Sequence, residues 1–177
     1  MTEARLSLKL DPSSELLVQL LVLNERVFSH FSEDEKCRIG IHVCPGADAD
    51  SVHSAEVDYT LLIPALLQTL SCKRFYFQMK SEADPERSLV AIRDSMRPGQ
   101  YIFVGVIDVN SRRVETPEEV STFIEKVAKY IPRAQLGTCD DCGFSPFADD
   151  VSTSRDVAFA KIAARVAGTR MASARLM

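Results

Sequence analysis

Strand-like and helix-like patterns alternate along this chain, and this alternation constrains the fold more than any other feature. Strand-like segments lie at 38–44, 74–79, 101–108 and 136–142, and each is followed by apolar residues at helical spacing. Such alternation is typical of β-α units with parallel strands. The segment YIFVGVID at 101–108 is apolar on both faces, as expected for a parallel strand beneath helices. The sequence therefore predicts an α/β fold with four parallel strands.

Prolines and capping residues mark the ends of the predicted helices. The clearest signal is a capping box of Thr116 and Glu119, in which each side chain satisfies a free amide of the first turn. About five helices are expected: from Asp11-Pro12 to near Ser32, over 63–70, from Asp84-Pro85, from Thr116 and from Ser154. We expect the tail beyond Gly168 to be frayed or loosely helical.

Composition limits which class of protein this chain can belong to and which cellular compartment is expected. The 177 residues and 46% hydrophobic content indicate a single domain over 1–177. A net charge of −4 without a basic cluster argues against a nucleic-acid partner. Without an apolar run of the ~20 residues that span a bilayer, or a signal peptide, we expect a cytoplasmic protein with no membrane partner. Five cysteines in such a chain favour metal binding or catalysis over disulfides.

Two candidate metal ligands lie at the end of the first predicted strand. His42 and Cys44 are one residue apart, so their side chains project from the same face, about 6.6 Å apart along the strand. The turn-forming Pro45-Gly46 follows, at the strand end where α/β folds place active sites. A His-x-Cys pair alone is weak evidence, because buried Cys commonly packs as a small hydrophobe. A metal site therefore needs a third ligand.

Cys142 is the third candidate ligand, at the corresponding end of the fourth strand. Gly143 follows it and lets the backbone approach a bound group closely. Cys139 leaves an alternative open, because Cys139-x-x-Cys142 has the spacing of a redox pair or of half a structural zinc site. A structural site would need a second close pair, and a thioredoxin-type motif belongs at a helix start. A catalytic metal site is therefore favoured over a CxxC redox protein.

Three stretches resemble the C-terminal catalytic barrel of the cobalamin-independent methionine synthase family. They are IGIHVCPG at 39–46, VETPEEV at 114–120 and DDCGFSPF at 140–147, in the order and spacing of that family. The resemblance covers nearly the whole chain and implies the C-terminal half of a TIM-type (β/α)8 barrel. It implies that His42, Cys44 and Cys142 bind zinc. It also implies methyl transfer from a polyglutamylated methyltetrahydrofolate to the thiol of homocysteine, giving methionine.

The physical chemistry of thiols agrees with that implied role. A thiol with a pKa of about 8.5 is mostly protonated at neutral pH, whereas the thiolate is the nucleophile. Three protein ligands leave a fourth zinc position open for a substrate thiol. We therefore expect a zinc-dependent homocysteine S-methyltransferase domain, with a non-catalytic zinc-binding remnant as the alternative.

Four further residues are weaker candidates. Gln78 stands where the family's larger enzymes have a glutamate ligand, and it either binds the metal or only hydrogen-bonds inside the barrel. Asn110 falls near the position of a histidine that the family uses in proton transfer. Asp141 either accepts a hydrogen bond and fixes the neighbouring thiolate or is an exposed carboxylate in a turn. His53 lies in the run HSAEVDY, which resembles the corresponding loop in shorter members of the family, and a loop at this end of a strand often contributes to the site. By contrast, we predict only a structural role for His30, Cys37 and Cys72.

The fold and the site together make a geometric prediction. His42 and Cys142 belong to the first and fourth strands, and in a flat sheet with strands ~4.8 Å apart they would be separated by about 14 Å. One ion can bind both only if the sheet is strongly curved, with the site on its hollow side. Because four strands leave two free edges, we expect a homodimer or a partner half-barrel. Methyl transfer by the chain alone is expected to be absent or very slow.

Overall fold

The computed structural model describes residues 15–45, 59–145 and 151–177. At its centre is a sheet of four parallel strands in the order β1-β2-β3-β4. The strands are β1 (Gly40–Val43), β2 (Arg74–Phe77), β3 (Tyr101–Gly105) and β4 (Leu136–Cys139). Each strand pairs with the next one in the chain, so helical crossovers connect neighbours, as in barrels built from β-α units. The predicted α/β class is therefore confirmed.

Helices cover one face of the sheet. Within the described ranges they are α1 (Glu15–Phe28), α2 (Glu33–Lys36), α3 (Ile63–Thr69), α4 (Pro85–Ser95), α5 (Pro117–Val127) and α6 (Arg155–Leu176), with 3-10 helices at Tyr59–Leu62 and Arg133–Gln135. The first helix, expected to end near Ser32, ends at Phe28, and a short helix that was not expected follows because Ser32 caps α2 in a capping box with Glu35. The expected helix start at Asp11-Pro12 lies outside the described residues. No described helix is both long and apolar enough to cross a membrane.

The remaining helix starts are where the sequence predicts them. Asp84, Thr116 and Ser154 each accept a hydrogen bond from the backbone amide three residues later. Thr116 also forms the predicted capping box with Glu119. Each cap satisfies an amide that has no partner within its own helix, which typically stabilises the helix by about 1 kcal/mol.

Apolar side chains fill the space between the sheet and its helices. Phe75, Phe77, Ile102 and Val104 alternate along β2 and β3 and are fully buried in the main core cluster. The intervening residues project from the opposite face of the sheet. There the rings of Tyr76 and Phe103 stack with centroids 4.5 Å apart, and a Cβ at Gly40 would lie only 2.6 Å from the Tyr76 ring. The alternation therefore divides the sheet into a helix-covered face and an inner face.

The expectation that the tail frays beyond Gly168 is wrong. Helix α6 continues to Leu176. Ala172 is fully buried, and Arg175 pairs with Glu118 at 2.9 Å and Glu125 at 3.0 Å. Packing against α5 stabilises this turn of helix. Local sequence pattern does not show that contact, because it joins residues about fifty positions apart.

We expect Gly168→Ala to destabilise the chain by about 1–3 kcal/mol, the usual cost of overpacking. Ala favours a helix over Gly by up to ~1 kcal/mol, but the new Cβ would lie 2.5 Å from Val120 Cβ and 2.7 Å from the Pro117 carbonyl oxygen. Neither atom is the end of a flexible side chain. Chemical denaturation measures the effect, with Ser173→Ala at an exposed site on α6 as control. An unchanged midpoint would contradict the close contact between α5 and α6.

Candidate metal centre

The three predicted metal ligands converge at the C-terminal edge of the sheet. The ligand atoms of His42, Cys44 and Cys142 all lie within 4.8 Å of one another. His42 Nε2 is 3.5 Å from Cys142 Sγ, whereas a flat sheet would place their strands about 14 Å apart. The cluster lies on the inner face of the sheet, and Cys142, three residues beyond the end of β4, covers part of that distance in the turn after the strand.

Local structure explains how each side chain reaches the cluster. In β1, Ile41 and Val43 pack into the core, so His42 and Cys44 project from the opposite face. Strand β4 ends at Cys139, earlier than the 136–142 segment predicted from the sequence. The chain then turns, and Cys142 reaches across toward the end of β1.

The donor set suits a tetrahedral zinc ion. Zinc binds imidazole nitrogen at about 2.0–2.1 Å and thiolate sulfur at about 2.3 Å, which places neighbouring ligand atoms about 3.3–3.8 Å apart. The 3.5 Å between His42 Nε2 and Cys142 Sγ is within that range. One nitrogen and two sulfurs form a set that zinc prefers to magnesium or calcium. These three residues can thus hold a zinc ion with a fourth position left for another ligand.

Gln78 is the nearest further donor. Its side chain is 3% exposed, and its Nε2 donates to Glu82 Oε1 at 2.7 Å. The amide oxygen therefore faces the cluster, where Cys142 Sγ donates to it at 3.3 Å. Its backbone is held as well, because the Tyr59 hydroxyl donates to its carbonyl oxygen and its amide donates to Val43 O at 3.0 Å. Gln78 is placed for either predicted role, hydrogen bonding or metal binding.

Protons are tightly held in the cluster when no cation is bound. The pKa of His42 is raised above its usual value, chiefly by a hydrogen bond to Cys44. The pKa of Cys142 is raised well above its usual range, first by its hydrogen bond with Cys44 and then by burial. The thiols of Cys44 and Cys142 lie near the Asp141 carboxylate, so a further negative charge on a thiol is unfavourable there. A divalent cation would remove that penalty and displace the protons.

Cys139 does not belong to the cluster. Its thiol donates to Phe103 O at 3.7 Å, and burial raises its pKa to about 12. A thiol with such a pKa is almost entirely protonated at neutral pH and is therefore a poor nucleophile. The geometry thus favours a metal site at Cys142 over the redox pair that the CxxC spacing left open.

The other predicted residues have different positions. Asp141 is buried rather than an exposed turn residue, and its carboxylate accepts hydrogen bonds from the loop after β2. Asn110 lies in the loop after β3, where its backbone amide donates to Asp108 Oδ1 at 2.8 Å. Its side-chain oxygen is buried and has no hydrogen-bond partner among the described residues. His53 lies outside the described residues.

Sequence reasoning missed the residues that support the cluster from the loop after β2. Glu82 orients the Gln78 amide, and Ser81 binds Asp141 through both its amide and its hydroxyl. One signal was available, because both residues follow a strand end that points toward the site. Their partners could not be read from the sequence, since Asp141 is sixty positions away.

Comparison with known proteins agrees with this fold. Residues 77–165 match the family model described as "Cobalamin-independent synthase, Catalytic domain", which covers 89 of the 177 residues. A methionine synthase of Saccharolobus solfataricus is 37% identical over 67 residues, 38% of this chain and 18% of that protein. One from Sulfurisphaera tokodaii is 36% identical over 70 residues, 40% of this chain and 19% of that protein.

A solved structure extends the similarity to most of the chain. It is a B12-independent methionine synthase from Shewanella sp. W3-18-1 in complex with selenomethionine, with a TM-score of 0.61 and 26% sequence identity. The similarity covers 77% of this chain and 39% of that one, so the chain spans well under half the length of these relatives. The parallel sheet agrees with half of a TIM-type barrel. With the family model matched over half of its residues, this chain belongs to the cobalamin-independent methionine synthase family, through its catalytic domain.

Proposed function

We propose that this chain holds a catalytic zinc ion with His42, Cys44 and Cys142, for methyl transfer to the thiol of homocysteine. Family membership supports the reaction at the level of the family. The observation that carries the proposal for this chain is the convergence of one imidazole and two thiols within 4.8 Å, from the first and last strands of the sheet. A chain with only a packing role for these residues would not need to bring them together.

Each side chain has a defined task in this proposal. His42 provides a neutral nitrogen, and Cys44 and Cys142 provide thiolates, so three ligands leave a fourth position for the substrate thiol. Zinc in such a site lowers the pKa of a bound thiol and thereby supplies a nucleophile at neutral pH. The methyl donor in the proposal is a methyltetrahydrofolate. Two thiolates with a neutral Gln78 make the site less negative than one with a glutamate, which would increase its Lewis acidity.

Gln78→Ala is expected to weaken zinc binding less than loss of either cysteine. An amide oxygen is a neutral and replaceable ligand, and water can occupy its place. Competition with a zinc-binding dye measures the affinity. Gln100→Ala is the control, because it alters another buried Gln just before the start of β3, at the opposite edge of the sheet. A loss equal to that of Cys142→Ser would show that Gln78 is a full ligand.

We further propose that additional strands complete the barrel around this site. The inner-face rings of Tyr76 and Phe103 are only partly buried, although a closed eight-stranded barrel fills its interior with side chains. Among the described residues, both edge strands, β1 and β4, have one unpaired side. The outward side of α1 is also apolar, with about half of each side chain exposed in Leu16, Val18, Leu20, Val22, Leu23 and Val27. These surfaces together form an incomplete core.

The helices favour a complementary partner over a second copy. Helix α1 packs into the core beside β1 through Leu21 and Phe28, and α6 contacts β4, where Thr169 and Thr138 hydrogen-bond at 3.0 Å. A barrel of this type has one helix for each pair of neighbouring strands. A second copy would bring two helices, its own α1 and this chain's α6, to the same seam. A partner with four strands and three helices avoids that clash.

Complementation with the missing strands tests both proposals. The zinc-loaded chain is mixed with the part of the Shewanella relative's catalytic barrel that this chain does not match, and methionine formation from homocysteine and methyltetrahydropteroyl-triglutamate is followed. We expect little or no turnover by the chain alone and measurable turnover by the mixture. The mixture with Cys44→Ser should be inactive. Rapid turnover by a monomeric chain alone would refute the need for further strands, and inactivity with zinc bound would favour a non-catalytic zinc protein.

A further inference from the structure

The carboxylate of Asp141 binds three consecutive backbone amides in the loop after β2. Its Oδ1 accepts from the amides of Met79 and Lys80, each at 2.9 Å. Its Oδ2 accepts from the Ser81 amide at 2.8 Å and from the Ser81 hydroxyl at 2.6 Å. The residue is fully buried. Because hydrogen bonds to a carboxylate are short and strong, these four contacts fix the loop to the backbone that follows β4.

Strand β3 leaves room for this carboxylate. Gly105, the last residue of β3, has no side chain, and a Cβ there would collide with Asp141 Oδ1 and lie 2.9 Å from Asp141 Cα. The backbone of Asp141 is held from the same side, since its amide donates to Ile107 O at 3.1 Å. Asp141 is thus fixed to the segment after β3 by its backbone and to the segment after β2 by its side chain.

The segments that follow β2 and β4, which the Asp141 side chain links, each carry one residue of the candidate metal centre. Gln78 directly precedes Met79, and Cys142 directly follows Asp141, with Gln78 Oε1 and Cys142 Sγ 3.3 Å apart. We infer that Asp141 is a positioning residue, which sets residues 79–81 after β2 against residues 140–142 after β4 and so determines where the Cys142 thiol points. The catalytic value of that thiol position rests on the proposed function, whereas the four hydrogen bonds of the Asp141 carboxylate need no metal.

The test uses the metal-free full chain and two readouts. Hydrogen exchange reports the amides at 79–81. Disulfide trapping with diamide reports the approach of Cys142 to Cys44, as the oxidant takes two electrons and two protons from the two thiols to form one S–S bond. We expect Asp141→Asn to speed exchange at 79–81 and to slow trapping, each by about tenfold, because a neutral amide accepts weaker hydrogen bonds than a carboxylate. Asp140→Asn is the matched control, since Asp140 pairs with Arg165 at 2.9 Å instead.

A milder variant keeps the test decisive if Asp141→Asn does not fold. Ser81→Ala removes only the hydroxyl contact at 2.6 Å, and we expect it to change both rates in the same directions by about threefold. Unchanged hydrogen exchange at 79–81 would contradict the role of Asp141 in holding this loop. Faster exchange with an unchanged rate of disulfide trapping would contradict its role in positioning Cys142. Neither readout involves zinc, so a wild-type chain that bound no zinc would contradict the proposed function alone.

Discussion

Cys142→Ser is expected to reduce the zinc content of the purified chain from close to one ion per chain to a small fraction of that value. The substitution replaces a thiolate by a hydroxyl that stays protonated, and thus removes both a charge and a favoured zinc ligand. The expected loss of affinity exceeds the ~10–100-fold that follows loss of a group supporting a ligand. Cys44→Ser should behave in the same way, because its thiol lies in the same cluster.

Cys37→Ser is the matched control for these two variants. It makes the same chemical change at an exposed cysteine that is outside the cluster. Zinc content is measured by elemental analysis, with circular dichroism to verify folding. Full zinc occupancy in both Cys44→Ser and Cys142→Ser would contradict the site assignment.

Lys161→Met should destabilise the chain by about 3–5 kcal/mol. The Lys161 ammonium is completely buried and contacts Glu115 at 2.9 Å. Its other two protons are donated to the carbonyl oxygens of Asp108 at 3.0 Å and Arg113 at 2.6 Å. Removing the ammonium would leave the buried Glu115 carboxylate without its cation and two carbonyls without a donor.

A paired variant distinguishes the lost charge from lost packing. Lys161→Met with Glu115→Leu removes both charges and should recover part of the loss, because a buried ion pair can often be replaced by apolar residues. Lys126→Met, which breaks a surface contact with Glu86 at 3.3 Å, should cost at most about 1 kcal/mol. Urea unfolding compares the variants. A loss as small as that of Lys126→Met would mean that Lys161 is not a buried partner of Glu115.

The fold was predictable because its signals are local. The alternation of Phe75 and Phe77 with Arg74 and Tyr76 identifies the two faces of β2, and the capping box at Thr116 identifies the start of α5. The three candidate ligands were also predictable, because they lie at or just after the ends of strands and match family motifs. Parallel strands of a curved sheet direct those ends toward one point.

The remaining features depend on contacts between distant segments. Ala172 and Arg175 look like an ordinary helical tail in the sequence, and only their packing against α5 shows that the helix continues. Lys161 lies in a helical pattern in which a charged residue is normally exposed, so its burial beside Glu115 could not be inferred. For the same reason, the hydrogen-bond donors of Asp141 could not be inferred, since they lie sixty positions away.

Zinc-edge X-ray absorption of the purified wild-type chain, combined with zinc quantification, tests the central claim most directly. The proposal predicts close to one zinc per chain, with two sulfur neighbours at about 2.3 Å and nitrogen or oxygen neighbours at about 2.0–2.1 Å. The second sulfur should disappear in whatever zinc remains in Cys44→Ser. A chain that binds no zinc, or a site with a third sulfur from Cys139, would contradict the account of a catalytic centre built from His42, Cys44 and Cys142.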